Sequence, residues 1–190
     1  MKLCFQKGSF AEDIAKTVVI ANLTMTDGFT ATIIKRAYNL GIGMSAVNNS
    51  LHITEECSAA ILSTIAALPP ETGGILGSKD GNVVTDFIFD KGKENTSEFY
   101  IPDVMQLNKG IISWRQEGIR FIGMIHSHLR GRNKLSTSDI EYANKIMKSM
   151  NMERLYMMLV DTNTIEYDVT AFEFFNSKEL KFKRIACSVI

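Results

Sequence analysis

The chain has 190 residues, 45% hydrophobic and 22% charged, enough apolar material to fill a core as one domain or one domain with an appendage. Lys plus Arg equals Asp plus Glu at 21 each, for a formal net charge of zero, which withdraws the excess positive charge on which nucleic-acid binding rests. Three cysteines, Cys4, Cys57 and Cys187, are odd in number and far apart, so neither a disulfide framework nor a cysteine zinc site is suggested. The opening stretch meets charged residues before any long apolar run, and no early segment is apolar enough to span a bilayer. A reducing cytoplasm is the expected compartment, without nucleic acid or membrane as partner.

The first fifty residues read as a helical hairpin. Ile14, Val18, Val19 and Leu23 recur at helical spacing over 11–23, and Ile33, Ile34, Ala37 and Leu40 do so over 29–40. Asp27-Gly28 marks a turn between them, and Gly41 a stop. Packing or homo-oligomerisation is the simplest role for this appendage, which joins the remainder through Asn48-Asn49-Ser50.

From Leu51 the pattern changes, and residues 51–190 are expected to form the main domain. Over 54–68 the spacing predicts a helix with Thr54 as N-cap, Glu55 and Glu56 in its first turn, and Ala59, Leu62, Ile65 and Ala66 as apolar positions, ended by Pro69-Pro70. Residues 71–77 and 83–90 flank Ser78-Lys79-Asp80-Gly81-Asn82 as a β-hairpin. A polar loop follows over 91–97, then a helix over 103–118 carrying Val104, Leu107, Ile111, Ile112 and Trp114. A buried strand is predicted over 121–128, and a helix over 138–150 with Ile140, Ala143, Ile146 and Met147 inward. Strands over 154–161, 166–174 and 182–189 complete the chain. Helices and strands interleave without a strict βαβ repeat, so the fold class is α+β, a mixed sheet with helices against it.

The chemistry concentrates in Gly123-Met-Ile-His-Ser-His-Leu-Arg-Gly-Arg-Asn-Lys-Leu-Ser-Thr-Ser-Asp139. His126 and His128, two apart on a strand, leave the same face. Two imidazoles so placed can converge on one ion at about 2.0–2.1 Å each. Asp139 can add an oxygen ligand, leaving a fourth position for water as in a catalytic zinc. A blander role also fits, with Ser136 as an N-cap and Asp139 as a favourable first-turn acid. Metal-bound water has a pKa near 7, but amide hydrolysis still needs a base and a proton donor. Glu71 is the candidate, heading Glu71-Thr-Gly-Gly-Ile-Leu-Gly77, whose glycines permit close approach of a backbone or substrate chain. Without the histidines it would read as an exposed loop charge. Ser136 gains a second task, hydrogen-bonding the oxyanion.

Glu71, then His126-Ser127-His128, seven residues, Ser136, two residues and Asp139 together resemble the JAMM metalloprotease motif of the MPN domain family. The stretch after Glu71 is similar to that of prokaryotic, JAB-like members, and the resemblance covers roughly 51–174. It implies a curved mixed β-sheet flanked by helices, a cytidine-deaminase-like core. It further implies one Zn²⁺ per chain on His126, His128 and Asp139, with Glu71 as base and acid and Ser136 as oxyanion contact. The implied reaction is hydrolysis of a peptide or isopeptide bond at the tail of a ubiquitin-like or sulfur-carrier-like protein. Many members have Pro after the second histidine where this chain has Leu129, a departure that bears on the loop's shape and substrate contacts. Arg130 and Arg132, in a basic loop, are weak substrate-binding candidates beside the plainer reading of a solvated loop.

Other residues read plainly. His52 is expected to be structural or exposed, and the methionines to pack the core. Cys4 could reach the zinc as a removable fourth ligand only if the N-terminal segment folded over it. The alternatives are a non-catalytic MPN-type scaffold, disfavoured because all five motif positions are present, and a small-molecule deaminase, whose H-x-E and P-C-x-x-C are missing. Neutral charge gives no help to a DNA-repair branch.

Overall fold

A computed structural model describes residues 50–65, 71–93, 100–128, 134–161, 168–176 and 180–190. The predicted N-terminal hairpin, Cys4, Leu129, Arg130 and Arg132 lie outside them. Eight strands and three helices follow in the order β1 (Ser50–Ile53), α1 (Glu55–Thr64), β2 (Gly73–Ser78), β3 (Val83–Val84), β4 (Asp86–Asp90), α2 (Val104–Gln116), β5 (Arg120–His128), α3 (Thr137–Met150), β6 (Arg154–Asp161), β7 (Asp168–Asn176) and β8 (Leu180–Val189). The strands form one mixed sheet in the order β3-β1-β8-β7-β6-β5-β2-β4. Only Thr85 separates β3 from β4 in the chain, yet they sit at opposite ends of that order. Covalent continuity therefore forces the sheet to curl until its edges nearly meet, which gives the mixed sheet with helices expected from the sequence and the curvature that the family resemblance implied, carried nearly to a barrel.

Central strands are buried on both faces, and their side chains sort by parity. In β6, Leu155, Met157 and Leu159 join one core cluster, while Tyr156, Met158 and Val160 join the other. The first cluster packs beneath α2 and α3 through Leu107, Ile111, Trp114, Ala143, Ile146 and Met147. The second packs beneath α1 through Cys57, Ile61 and Ile65. Met124, Met147, Met157 and Met158 are buried as expected, whereas Met105 is exposed.

α2 and α3 start within a residue of the predicted positions, because Asp103 and Ser136 cap their first turns, and α3 ends at Met150 as predicted while α2 stops at Gln116, two residues early. α1 departs in two ways. It is capped by Thr54 as expected but ends at Thr64, where the Thr64 hydroxyl donates back to Ala60 O at 2.6 Å and Ile65 turns extended. Its buried stripe is Cys57–Ile61–Ile65, spaced i, i+4, i+8, and Ala59 faces solvent because its methyl has little area to bury. Within the predicted hairpin, β2 pairs with β4, but Val83-Val84 peels away to pair in parallel with β1. β1, unforeseen as a strand, also pairs with the C-terminal β8. His52 on β1 hydrogen-bonds Ser188 Oγ through Nδ1 at 2.8 Å and Ser50 Oγ through Nε2 at 3.2 Å, which gives it the structural role expected.

Candidate metal centre

β5 runs between antiparallel β2 and parallel β6. Its place against β6 requires Gly123, since a Cβ there would stand 2.3 Å from Tyr156 O. At its C-terminal end His126 and His128 pair with Leu159 and Asp161 of β6 and share the face covered by α3. Both histidines are buried, and their Nε2 atoms lie 2.9 Å apart. Asp139 comes from the first turn of α3 and completes the group, with Oδ1 3.3 Å from His126 Nε2 and Oδ2 3.5 Å from His128 Nε2.

The capping role and the ligand geometry of Asp139 coexist. Ser136 N and Ser136 Oγ each donate to Asp139 Oδ2 at 2.7 Å, while Asp139 N donates to Ser136 Oγ at 3.2 Å. This reciprocal box locks the carboxylate's rotamer and aims it at the histidines. Burial by itself raises the Asp139 carboxyl, but hydrogen bonds from His126, His128 and Ser136 outweigh it and hold the group well below the usual carboxylate range. Asp139 is therefore ionised at neutral pH, the state a metal ligand needs.

His126, His128 and Asp139 could hold a metal ion. One ligand atom from each lies within 4.8 Å of the others. Four ligands at bonds of about 2.0–2.1 Å define a tetrahedron with edges of about 3.3–3.4 Å. The His126 Nε2–Asp139 Oδ1 separation of 3.3 Å matches that edge, His128 Nε2 approaches the other oxygen, Oδ2, at 3.5 Å, and the imidazole nitrogens at 2.9 Å would have to part by a few tenths of an ångström. Two imidazoles and a carboxylate also form a donor set that zinc accepts, as do several other divalent ions.

Glu71 enters through strand register. Gly73 pairs with His126 in the β2–β5 ladder, and Ser127 N donates to Thr72 O at 2.8 Å one residue further on. Continuing the antiparallel register sets Glu71 opposite His128, on the histidine face of the sheet. The five motif positions thus come from three places, the lead-in to β2, the end of β5 and the start of α3.

The wall beside His126 was not foreseen. Tyr100 stacks on the His126 ring, with centroids 6.1 Å apart and planes inclined by 18°. Its hydroxyl donates to Asp90 Oδ2 at 2.7 Å, and that fully buried carboxylate also accepts from Asp103 N and Gly92 N. Asp90, Gly73 and His126 are consecutive partners across β4, β2 and β5. A Cβ on Gly73 would meet the Tyr100 ring at 2.5 Å and Ile125 O at 2.6 Å. The space above Gly73 is therefore filled by this chain's own tyrosine rather than left for a substrate chain, and a Cβ on Gly74 would meet Ile88 O at 2.2 Å. The glycine pair was the sequence signal for close approach, but which ring approaches is a long-range fact.

Nearby, Tyr142 on α3 has a buried hydroxyl without a hydrogen-bond partner among the described residues. Leaving such a donor unpaired costs about 1–3 kcal/mol. Tyr142→Phe is therefore expected to leave stability unchanged or raise it by about that amount in urea unfolding of the metal-free protein. A loss above about 1 kcal/mol would show that the hydroxyl has a partner.

A family model described as prokaryotic homologs of the JAB domain matches residues 55–175. The chain belongs to this family. The matched span of this JAB-domain chain runs from the start of α1 to Phe175, one residue short of the end of β7, and contains every residue of the site. Among solved structures, the solution structure of protein DSY2949 from Desulfitobacterium hafniense is similar, with a TM-score of 0.58 and 17% identity over 74% of this chain and 92% of that one. That likeness extends to the fold alone. No curated protein matches the JAB-domain chain. Among its described residues no helix is long and apolar enough to cross a membrane.

Proposed function

We propose that the chain is a zinc-dependent peptidase or isopeptidase hydrolysing an amide bond at or near the C-terminal tail of a ubiquitin-like or sulfur-carrier-like protein. The observation that carries this reading is the convergence of His126, His128 and Asp139, two imidazoles and a carboxylate, at the end of β5 and the start of α3. A zinc ion held by His126, His128 and Asp139 would supply a Lewis acid and a water nucleophile at neutral pH. Glu71 takes the proton of the attacking water and returns it to the leaving nitrogen. Ser136 Oγ donates to Asp139 Oδ2 in the capping box, so stabilising an oxyanion would require its hydrogen to turn toward the substrate carbonyl while it still accepts from Asp139 N. His126 and His128 at the end of β5 and Asp161 at the end of β6 are buried. Family membership and the resemblance of the motif support the substrate class.

The test is hydrolysis of a ubiquitin-like protein and a sulfur-carrier protein, each bearing a C-terminal peptide extension, by zinc-loaded and metal-stripped chain. Intact mass should show cleavage after the tail only with the loaded chain. A loaded chain that cuts neither would leave a scaffold domain with the same fold as the surviving reading.

A further inference from the structure

Ser127, between the two histidines, has so far had no part in the chemistry. It is 1% exposed, and strand alternation turns it to the face opposite the metal ligands. A serine facing away from a metal centre could simply have been an apolar residue. Its hydroxyl is instead committed to the strand that leads in from Glu71.

The regular β2–β5 ladder ends at the pair Gly73–His126. One residue beyond, Ser127 N donates to Thr72 O at 2.8 Å. The second bond of this pair is supplied by a side chain, with Thr72 N donating to Ser127 Oγ at 3.0 Å. The same hydroxyl donates back to Thr72 O at 3.3 Å. One serine thus engages both the N–H and the C=O of Thr72, itself buried, at the residue next to Glu71. Strand ends fray where ladder bonds run out, and a base must sit within hydrogen-bond reach of the proton it moves.

We propose that Ser127 is a positioning residue for Glu71. Its hydroxyl extends the β2 register one residue past the strand and so holds Glu71 opposite His128. The proposal rests on Glu71 being the base of the hydrolysis set out above. Displacement of a reacting group by about 1 Å can cost 10²-fold in rate, so loss of the clamp should act on kcat and leave metal and substrate binding alone.

The experiment compares full-length wild type, Ser127→Ala, Ser127→Thr and Glu71→Gln, all loaded with zinc. Zinc content is expected to stay at about one ion per chain in all four. In Ser127→Ala, hydrogen exchange at the Thr72 amide should quicken by about tenfold or more while Ile75 and Leu76 keep their protection. With the extended ubiquitin-like substrate, kcat should fall about 10- to 100-fold with KM unchanged, and Ser127→Thr should recover much of it. A Ser127→Ala protein that holds zinc and retains both Thr72 protection and kcat overturns the proposal. Inactive Glu71→Gln beside fully active Ser127→Ala sinks the clamp alone. Full activity in Glu71→Gln sinks the base assignment, and this proposal with it. The exchange readout decides whether the clamp exists even if Ser127→Thr folds poorly.

Discussion

Equilibrated with zinc and then dialysed, the wild-type chain is expected to retain about one ion, and His126→Ala and Asp139→Ala essentially none. Loss of an outer partner of a zinc ligand typically costs 10- to 100-fold in metal affinity, and loss of a ligand itself should cost more. Asp139→Ala removes two things together, an anionic donor and half of the capping box on α3. Its effect on α3 can be separated with Ser136→Ala, which breaks the cap but spares the carboxylate, and which should cost about 1 kcal/mol of stability while still binding zinc. Elemental analysis decides the matter. Zinc retained in both ligand variants would put the ion elsewhere, and a wild type that never holds metal would remove the hydrolase reading altogether.

Glu71→Gln should lower kcat by about 10²- to 10⁴-fold at unchanged zinc content, the range that a positioned general acid–base contributes. The glutamine keeps size and hydrogen-bonding ability but cannot take a proton, so folding and metal binding serve as internal controls. The register argument makes the expectation specific, since Glu71 lies two residues before Gly73, the partner of His126, and the same register continued would set it opposite His128. A drop of less than tenfold would return Glu71 to the plainer role of a loop charge after two prolines.

Comparing particular elements shows what kind of information the sequence holds. The ligand spacing was legible because strand alternation is a two-residue rule, and it delivered His126 and His128 to one face. The Ser136–Asp139 pair was legible for the same reason, a capping box being closed within one helical turn. β6 appeared with its predicted bounds because its apolar run is continuous and bounded. β1 escaped, because four residues carry too little pattern and their partners, β8 and β3, lie far along the chain. Tyr100 escaped as well, since nothing near it in sequence tells of Asp90's buried carboxylate or of the gap above Gly73.

The sequence by itself therefore determined which side chains could bind a metal, which helix turn would present the third ligand, and the α+β class. Each of these depends on backbone periodicity over a few residues. Only the tertiary structure decided that Gly73, two residues after Glu71, pairs with His126, that Tyr100 walls the site and that Ser127 reaches Thr72, 55 residues away in the chain. Those facts depend on which strands pair and in what register, and that choice is made by burying two apolar faces of one curled sheet at once, a sum over the whole chain that no local spacing records.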